Sequence, residues 1–442
     1  MPSNRATQLA TGLLCALART TTSQSLFRAI PAYVPPNPTP ARGVKGVAFK
    51  NISDVDEMID KEMEDSAVGR EAKALGLVRD CWALLEPGLV RRLDGEDTYE
   101  SDSEGENDEY VKPAVGQHSW GLLEFFVDVF EEDEKRAALK DSISMSPVLI
   151  SQIPRAQPGQ PWDVQRPLSV VFTALSPWRK LRSDSKYVTT SLDPLHAQLG
   201  IRLFQVITNA TMADPKLVPT GLIRLTINQL RSAKFPPENM QFFLSSLPPR
   251  YDRFKLALVC TFLEGGSVIP KLAVSNQAKR AKPRPRTRSE KDTPSESPGV
   301  SSSTSIPASL LPYPIPTITK ILRHLSSASF NPPSATANAS SSTAHTDIEC
   351  NAKKSALAKF HLLITLDRIL ALSVTGIEGT RDEWHAALCS GKVRKAIQEG
   401  FDSFVGSKYD KDLEGPVKAV CFAVVDDLEK ALRGEDATMD SR

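Results

Sequence analysis

The sequence predicts a mostly α-helical protein, an irregular multi-helix array with long disordered segments. Apolar residues recur at helical spacing in most hydrophobic stretches, and prolines or glycines separate one stretch from the next. No stretch alternates apolar and polar residues convincingly, as a half-buried strand does. Consecutive short helices also occur in armadillo-like arrays, so an armadillo-like fold is one alternative. The sequence has no repeat of fixed period, however.

Composition bounds the size and the class of the protein. The chain of 442 residues has room for about two or three domains, and its 54 basic and 53 acidic residues nearly cancel, which argues against polyanion binding by the chain as a whole. The 6 cysteines lie far apart without a CxxC pair. They favour reduced, buried thiols in an intracellular protein over a disulfide framework or a zinc knuckle. No run of about 18 apolar residues is present, so no membrane span is expected.

Residues 1–50 are predicted to be a disordered or targeting leader. The first acidic residue is Asp54, whereas arginine, serine and threonine are frequent before it. This composition is typical of a mitochondrial transit peptide, and the alternatives are a secretory signal cleaved near Ala18 or a flexible tail. The leucines that would form one face of a short helix are Leu9, Leu13, Leu14 and Leu17.

Residues 51–92 are predicted to be a helical segment. Apolar residues lie at helical spacing before Pro87, which would end the helix. These residues are Leu75, Val78, Trp82 and Leu85.

Residues 93–112 are predicted to be an acidic disordered loop. Carboxylates crowd this segment, and no basic residue interrupts them before Lys112, so self-repulsion favours disorder. Ser101 and Ser103 lie among these acids and are candidates for phosphorylation by an acid-directed kinase, while the alternative is a loop that only aids solubility.

Residues 113–272 are predicted to be a helical domain. It begins with a helix whose wide apolar surface belongs in a core, and five helices follow between Pro167 and Gly265. Asp193 suits the N-cap of the second of these five, and Pro194 suits its first turn. The apolar positions along the first helix are Trp120, Leu123, Val127 and Phe130. Those along the next five are Leu168, Val171, Phe172 and Leu175; Leu195, Leu199, Leu203 and Val206; Ile223, Ile227 and Leu230; Met240, Phe243, Leu244 and Leu247; and Tyr251, Phe254, Leu258 and Phe262.

Residues 273–350 are predicted to be a disordered linker, basic at first and then rich in serine and proline. The basic cluster has the spaced charges of a nuclear localisation signal, and the alternatives are a nonspecific polyanion contact or a solvated spacer. Its candidate residues are Lys279, Arg280, Lys282, Arg284, Arg286 and Arg288. Thr293 and Ser297, each followed by proline, are candidate phosphorylation sites.

A short amphipathic stretch interrupts this polar linker. "ITKILRHL" places four apolar residues on one helical face, which is the pattern of a ligand that binds a groove as a helix. The alternative is a chance pattern. The partner-helix candidate residues are Ile318, Ile321, Leu322 and Leu325.

Residues 351–434 are predicted to be C-terminal helices that pack back on the helical domain. The last of them begins near Pro416 and ends before Gly434. Its predicted buried face consists of Val417, Val420, Val424 and Leu428.

No motif for catalysis, cofactor binding or metal binding is present. The sequence has no GxGxxG, GxxxxGK[ST], HExxH or GxSxG motif, and its 6 histidines are scattered. Acids at residues 130–134 point in different directions on a helix, which favours a solvated face over a metal site. The expectation is therefore a protein that is not an enzyme and holds no cofactor.

Residues 222–258 resemble the late helices of Gag proteins from copia-type retrotransposons. There a helix, a short proline turn and an "LLxSLPxxYxxF"-type segment follow one another. The resemblance implies a polyanion-binding or assembling protein, but the zinc knuckle usual in that family is missing. The matching residues are Leu230, Leu244, Leu247, Pro248, Tyr251 and Phe254.

Three functions follow as hypotheses. The first is a non-enzymatic helical scaffold or regulatory interaction protein in the nucleus. The second is a mitochondrial helical protein imported through the acid-free leader, and the third is the Gag-like protein. The expected partners are other proteins, with weak nonspecific nucleic-acid contact through the basic cluster and no membrane span.

Overall fold

The computed structural model describes a mostly helical chain that divides into two compact units, residues 1–235 and residues 236–442. The division falls inside the helical domain predicted for residues 113–272. The described residues are 9, 12–17, 20–21, 80–86, 113–116, 119–141, 145–153, 163–176, 178–179, 190–213, 219–232, 235–265, 313–327, 342–372, 378–402 and 414–439.

The first unit contains five of the described helices. Two strands of two residues each pair antiparallel, with Trp178 opposite Ser191, and they are too short to show an alternating pattern in sequence. The helices are α1 (Trp120–Asp141), α2 (Pro147–Gln152), α3 (Gln165–Ala174), α4 (Pro194–Ala213) and α5 (Pro219–Arg231).

Helix α4 organises the core of this unit, because α1, α3 and α5 all pack against it. Its N-terminus is capped as predicted, since the Leu195 N–H donates to Asp193 Oδ1 at 3.0 Å. The predicted apolar face is shifted in the first turn, where Leu195 is 70% exposed and Ala197 is buried instead. At Gly200 an added Cβ would lie 2.9 Å from the Ala174 Cβ, so this glycine allows α4 to approach α3 closely.

The predicted helix at residues 75–85 differs from the structure over its described end. Residues 83–85 form a 3₁₀ turn, with the Asp80 carboxylate accepting from the Ala83 N–H at 2.9 Å. The Trp82 Nε1–H donates to the Gln152 carbonyl at 2.8 Å, so tertiary hydrogen bonding fixes this turn. Trp82 and Leu85 are nevertheless buried, as their apolar character predicts.

The second unit surrounds one long helix, α9. Helices α6, α7, α8 and α12 pack against it, and α11 packs against α8, α10 and α12. The stretch at residues 273–350, predicted as a disordered linker, contains α8 and the first turns of α9. The helices are α6 (Pro237–Ser246), α7 (Asp252–Leu263), α8 (Ile318–Ser326), α9 (Ser342–Ala371), α10 (Glu378–Cys389), α11 (Lys392–Asp402) and α12 (Glu414–Met439).

Helix α12 packs against α9, α10 and α11, but its buried face differs from the predicted one. Val420 is 46% exposed, whereas Cys421 and Val425 are fully buried. The apolar spacing is compatible with both faces when Cys421 is counted as apolar. The buried line of α12 is therefore rotated by one residue along this part of the helix.

Two expectations that concern side-chain environment can be compared with the described residues. Cys15, Cys81, Cys260 and Cys421 are buried, as expected, but Cys389 is exposed. Among the described helices, none combines the length and the apolar character that crossing a membrane requires.

Candidate functional site

Helix α8 places all four partner-helix candidate residues in the described part of the structure. The nuclear localisation candidates at 279–288 lie outside the described residues, and so do Ser101, Ser103, Thr293 and Ser297. The nuclear localisation signal and the phosphorylation sites stay predictions. The candidate site consists of α8 and the helices around it.

Local sequence explains where α8 begins and ends. Thr317 is the N-cap, and its hydroxyl accepts from the Lys320 N–H at 3.4 Å. At the other end Ser327 leaves the helix in an extended conformation after its N–H donates to the Arg323 carbonyl. Arg323 and His324 in the last turn suit the negative end of the helix dipole. A helix of 9 residues is too short to be stable alone in water, so packing must hold it.

The apolar face of α8 enters a groove formed by α7, α9, α10 and α11, which we call the α8 groove. Ile318, Ile321 and Leu325 are buried there, and Leu322 lies half-buried at the edge. Burying each of these three aliphatic side chains contributes about 1.5–3 kcal/mol. This contribution offsets the conformational entropy that the segment loses when it becomes ordered.

On one side of the groove a carboxylate contacts two polar side chains of α8. Glu264, at the C-terminal end of α7, forms an ion pair with Lys320, whose Nζ lies 2.6 Å from Glu264 Oε1. His324 Nε2 lies 3.5 Å from the same carboxylate oxygen. Burial lowers the pKa of His324 below its ordinary value, although the Glu264 charge opposes this shift. His324 is therefore neutral at pH 7, and Lys320 provides the charge that pairs with Glu264.

The other end of the groove is built for the C-terminus of a helix. Lys359, on α9, is fully buried, and its ammonium donates to the Ser327 carbonyl at 2.7 Å and to the Gly400 carbonyl at 3.1 Å. The C-terminal ends of α8 and α11 thus converge on one cation, which their dipoles favour. The Phe401 ring lies 5.3 Å from the same nitrogen.

Gly400 sets how closely α8 and α11 approach. A Cβ added at this position would lie 1.9 Å from the Leu325 carbonyl oxygen and 2.6 Å from Lys359 Nζ. Both atoms belong to the contact that terminates α8, so any side chain would force the helix out of place. The absence of a side chain at Gly400 therefore leaves the space that the last turn of α8 occupies.

The residues before α8 add an aromatic contact. Tyr313 is buried, and its ring meets Phe254 of α7 edge to face, with the ring centroids 5.4 Å apart. The docked segment thus extends from Tyr313 to Ser327.

A second polar cluster lies inside the same unit, between α6, α7 and α9. The Asp252 carboxylate lies 3.7 Å from Lys255 Nζ and 3.4 Å from Arg368 Nη1. His361 Nε2 meets Gln241 Oε1 at 2.9 Å, and burial lowers the pKa of His361 to about 3. Asp252, Lys255 and His361 are almost entirely buried, so the cluster contributes to the packing of these helices.

The first unit has an open cleft of about 270 Å³. Arg166 lines it and is held by Asp80 at 2.5 Å and by Glu86 at 3.0 Å. These two carboxylates neutralise the guanidinium, which leaves little attraction for an anionic ligand. The lining residues are Trp82, Glu86, Pro113, Ala114, Arg166, Ser169 and Val170.

The acids at residues 130–134 hold helices together, which corrects the expectation of a solvated face. Arg202 of α4 pairs with Asp128 and Glu131 of α1, in each case at 2.6 Å. Asp133 is buried and accepts from the Ser146 hydroxyl and the Val148 N–H, both at 2.8 Å. Within the described ranges, no three histidine, cysteine or acidic side chains group together as metal ligands would.

The sequence did not indicate Glu264, Lys359 or Gly400 as parts of a site. They lie on three different helices, and only the fold brings them to α8. The one local signal in the sequence is that Lys359 lies between Ala358 and Phe360 in an apolar stretch.

Comparison of the chain with protein-family models, with curated proteins and with solved structures finds no match. What the site can bind is therefore inferred from its own residues and their geometry. That geometry provides an apolar groove, a carboxylate for a lysine at one side and an ammonium for helix carbonyls at one end. This arrangement holds the amphipathic helix α8 in the structure.

Proposed function

We propose that the chain is a non-enzymatic helical scaffold or regulatory interaction protein that acts in the nucleus. The observation that carries the proposal is the docking of α8 in the α8 groove through Ile318, Ile321 and Leu325. Both parts of a helix-in-groove interaction, a recurring mode of protein recognition, are present in one chain.

The basic cluster supports the nuclear location. Residues 279–288 lie between α7 and α8 in the sequence. The cluster therefore precedes the docked helix α8 in the same connection between α7 and α9. Spaced lysines and arginines in this pattern are typical of a nuclear localisation signal.

Location in the cell tests the proposal most simply. Replacement of Lys279, Arg280 and Lys282 with alanine is expected to move a tagged chain out of the nucleus, because the transport signal depends on these charges. A matched control replaces Lys395, Lys418 and Lys430, which lie on described helices and are more than 100 residues from the cluster in sequence. A nuclear signal that survives the first replacement, or a parent chain that is never nuclear, contradicts the proposal.

A mitochondrial protein is the second candidate, and the N-terminal residues favour it. Leu9, Leu13, Leu14 and Leu17 are exposed by between 37% and 73% in a segment without acidic residues. An exposed apolar face beside arginines is the feature that import through a transit peptide requires. Import would leave a shortened N-terminus in the mature protein, which mass spectrometry of the purified chain detects.

The Gag-like alternative gains less support. The resembling segment is divided between the two compact units, with α5 in the first and α6 and α7 in the second. Of the six matching residues, Leu230 lies in the first unit and the other five lie in the second.

A further inference from the structure

The α8 groove has the properties of a binding site whose ligand is supplied by the chain itself. It recognises α8 through three separate features: the apolar floor, the Glu264 carboxylate and the Lys359 ammonium. Glu264 contacts Lys320 and His324 of α8, and Lys359 donates to the Ser327 carbonyl at the end of α8 as well as to the Gly400 carbonyl of α11. The Lys359 contact in particular goes to a backbone carbonyl, so it does not depend on the side chain at Ser327.

The position of α8 in the sequence makes exchange of this ligand feasible. Residues 264–317 separate α8 from α7, and residues 327–341 separate it from α9. The helix is only 9 residues long, so it depends on the groove for its structure. The helices that form the groove also contact one another, since α7 packs along α9 and α10 packs against α11.

We propose that the α8 groove is a helix-binding site that accepts, in place of α8, an amphipathic helix of another protein. The charge and shape of the groove define that helix. It carries isoleucine or leucine at positions i, i+3 and i+7, matching Ile318, Ile321 and Leu325, and a lysine at i+2, matching Lys320. Helix α8 then acts as an intramolecular competitor, and the inference rests on the proposed function in treating α8 as an interaction helix.

Opening the groove in the full-length chain tests the proposal. The variant Ile321→Asp places a charge in the buried face of α8, whereas the matched control Thr319→Asp places the same charge on its exposed face. The probe is a fluorescent peptide of residues 313–327, followed by fluorescence anisotropy. We expect the peptide to bind Ile321→Asp at least tenfold more tightly than the parent chain or Thr319→Asp, because only the first has a vacant groove.

Two further variants locate the bound peptide. Gly400→Ala added to the opened chain is expected to abolish binding, since its Cβ would occupy the position of the last helical turn. A peptide that itself carries Ile321→Asp should not bind. Equal binding with either change would place the peptide outside the groove and overturn the proposal, as would absence of binding to a folded Ile321→Asp chain.

If Ile321→Asp fails to fold, the same question is answered with a chain that is cleaved by a protease on both sides of α8. Protease sites are inserted into residues 266–312 and 328–341 of the otherwise unchanged chain, and cleavage then leaves the native α8 fragment held without covalent links. Uptake of the labelled peptide with release of the native fragment supports the proposal. Failure of the peptide to exchange, or loss of helical circular dichroism when the fragment leaves, shows that α8 is an integral core element and overturns it.

These outcomes are separable from failure of the proposed function. If peptide exchange occurs but the tagged chain is not nuclear, the helix-binding site stands and the nuclear function fails. If the chain is nuclear but the peptide does not exchange, only the helix-binding site is lost.

Discussion

At the scale of single residues, the second unit is held together by polar groups that sequence alone would place at the surface. Lys359 and Lys354 are fully buried, and Lys255 and His361 are nearly so. Breaking a buried pair leaves an uncompensated charge, which is strongly destabilising. The buried lysines therefore fix which helix ends meet, as Lys359 does for α8 and α11.

Acidification is expected to destabilise the second unit through its buried histidines. The pKa of His361 is lowered to about 3, and that of His324 is also lowered, in both cases chiefly by burial. The unfolded chain therefore binds more protons than the folded chain below about pH 6.5, so stability falls as pH falls. His361 alone should cost about 1.4 kcal/mol for each pH unit below 6.5.

Thermal melting between pH 7.5 and pH 5.5 measures this effect. His361→Gln keeps a polar side chain facing Gln241 but cannot titrate, so its melting temperature should change less with pH than that of the parent. The prediction is wrong if parent and variant lose stability in parallel over this range.

At the scale of helices, packing in the second unit depends on which of several similar faces is buried. Helix α12 shows this most clearly, because Val420 and Cys421 are neighbours in sequence yet only Cys421 is buried. Arg394 of α11 forms an ion pair with Asp426 and lies 5.7 Å from the Phe422 ring, and these contacts favour the observed face. The pair is half-exposed, so its own contribution is small.

Substitution on the two faces of α12 should therefore give different results. Val425→Asp places an unpaired charge in the core and is expected to cost about 3 kcal/mol or more of the free energy of unfolding. Val420→Asp changes an exposed position of the same helix and should alter stability by about 0.5 kcal/mol or less. Urea denaturation of both variants measures the difference.

Equal destabilisation by the two substitutions would contradict the observed face. A smaller effect at Val425 than at Val420 would instead favour the face that the sequence pattern predicted.

At the scale of the whole molecule, the sequence predicts the helices better than their assembly. Apolar spacing predicts α1, α3 through α8 and α12, and Asp193 is the α4 cap, as predicted. The turn at residues 83–85 was not predictable, because its geometry depends on a hydrogen bond from Trp82 to the distant Gln152 carbonyl. The amphipathic face of α8 was predictable, but Glu264, Lys359 and Gly400 of its groove were not, since no local pattern connects residues on three helices.

The central claim is that α8 is a docked helix which leaves its groove more readily than the surrounding helices unfold. Hydrogen–deuterium exchange of the full-length chain, read by mass spectrometry, tests it most directly, because exchange reports the local opening of each helix. The account predicts that amides of residues 318–326 are protected relative to the free peptide of residues 313–327, yet exchange faster than those of α7 and of residues 350–371 in α9. Absence of protection in α8 would show that it does not dock, and protection equal to that of α7 and α9 would show that it is an inseparable part of the core; either result contradicts the claim.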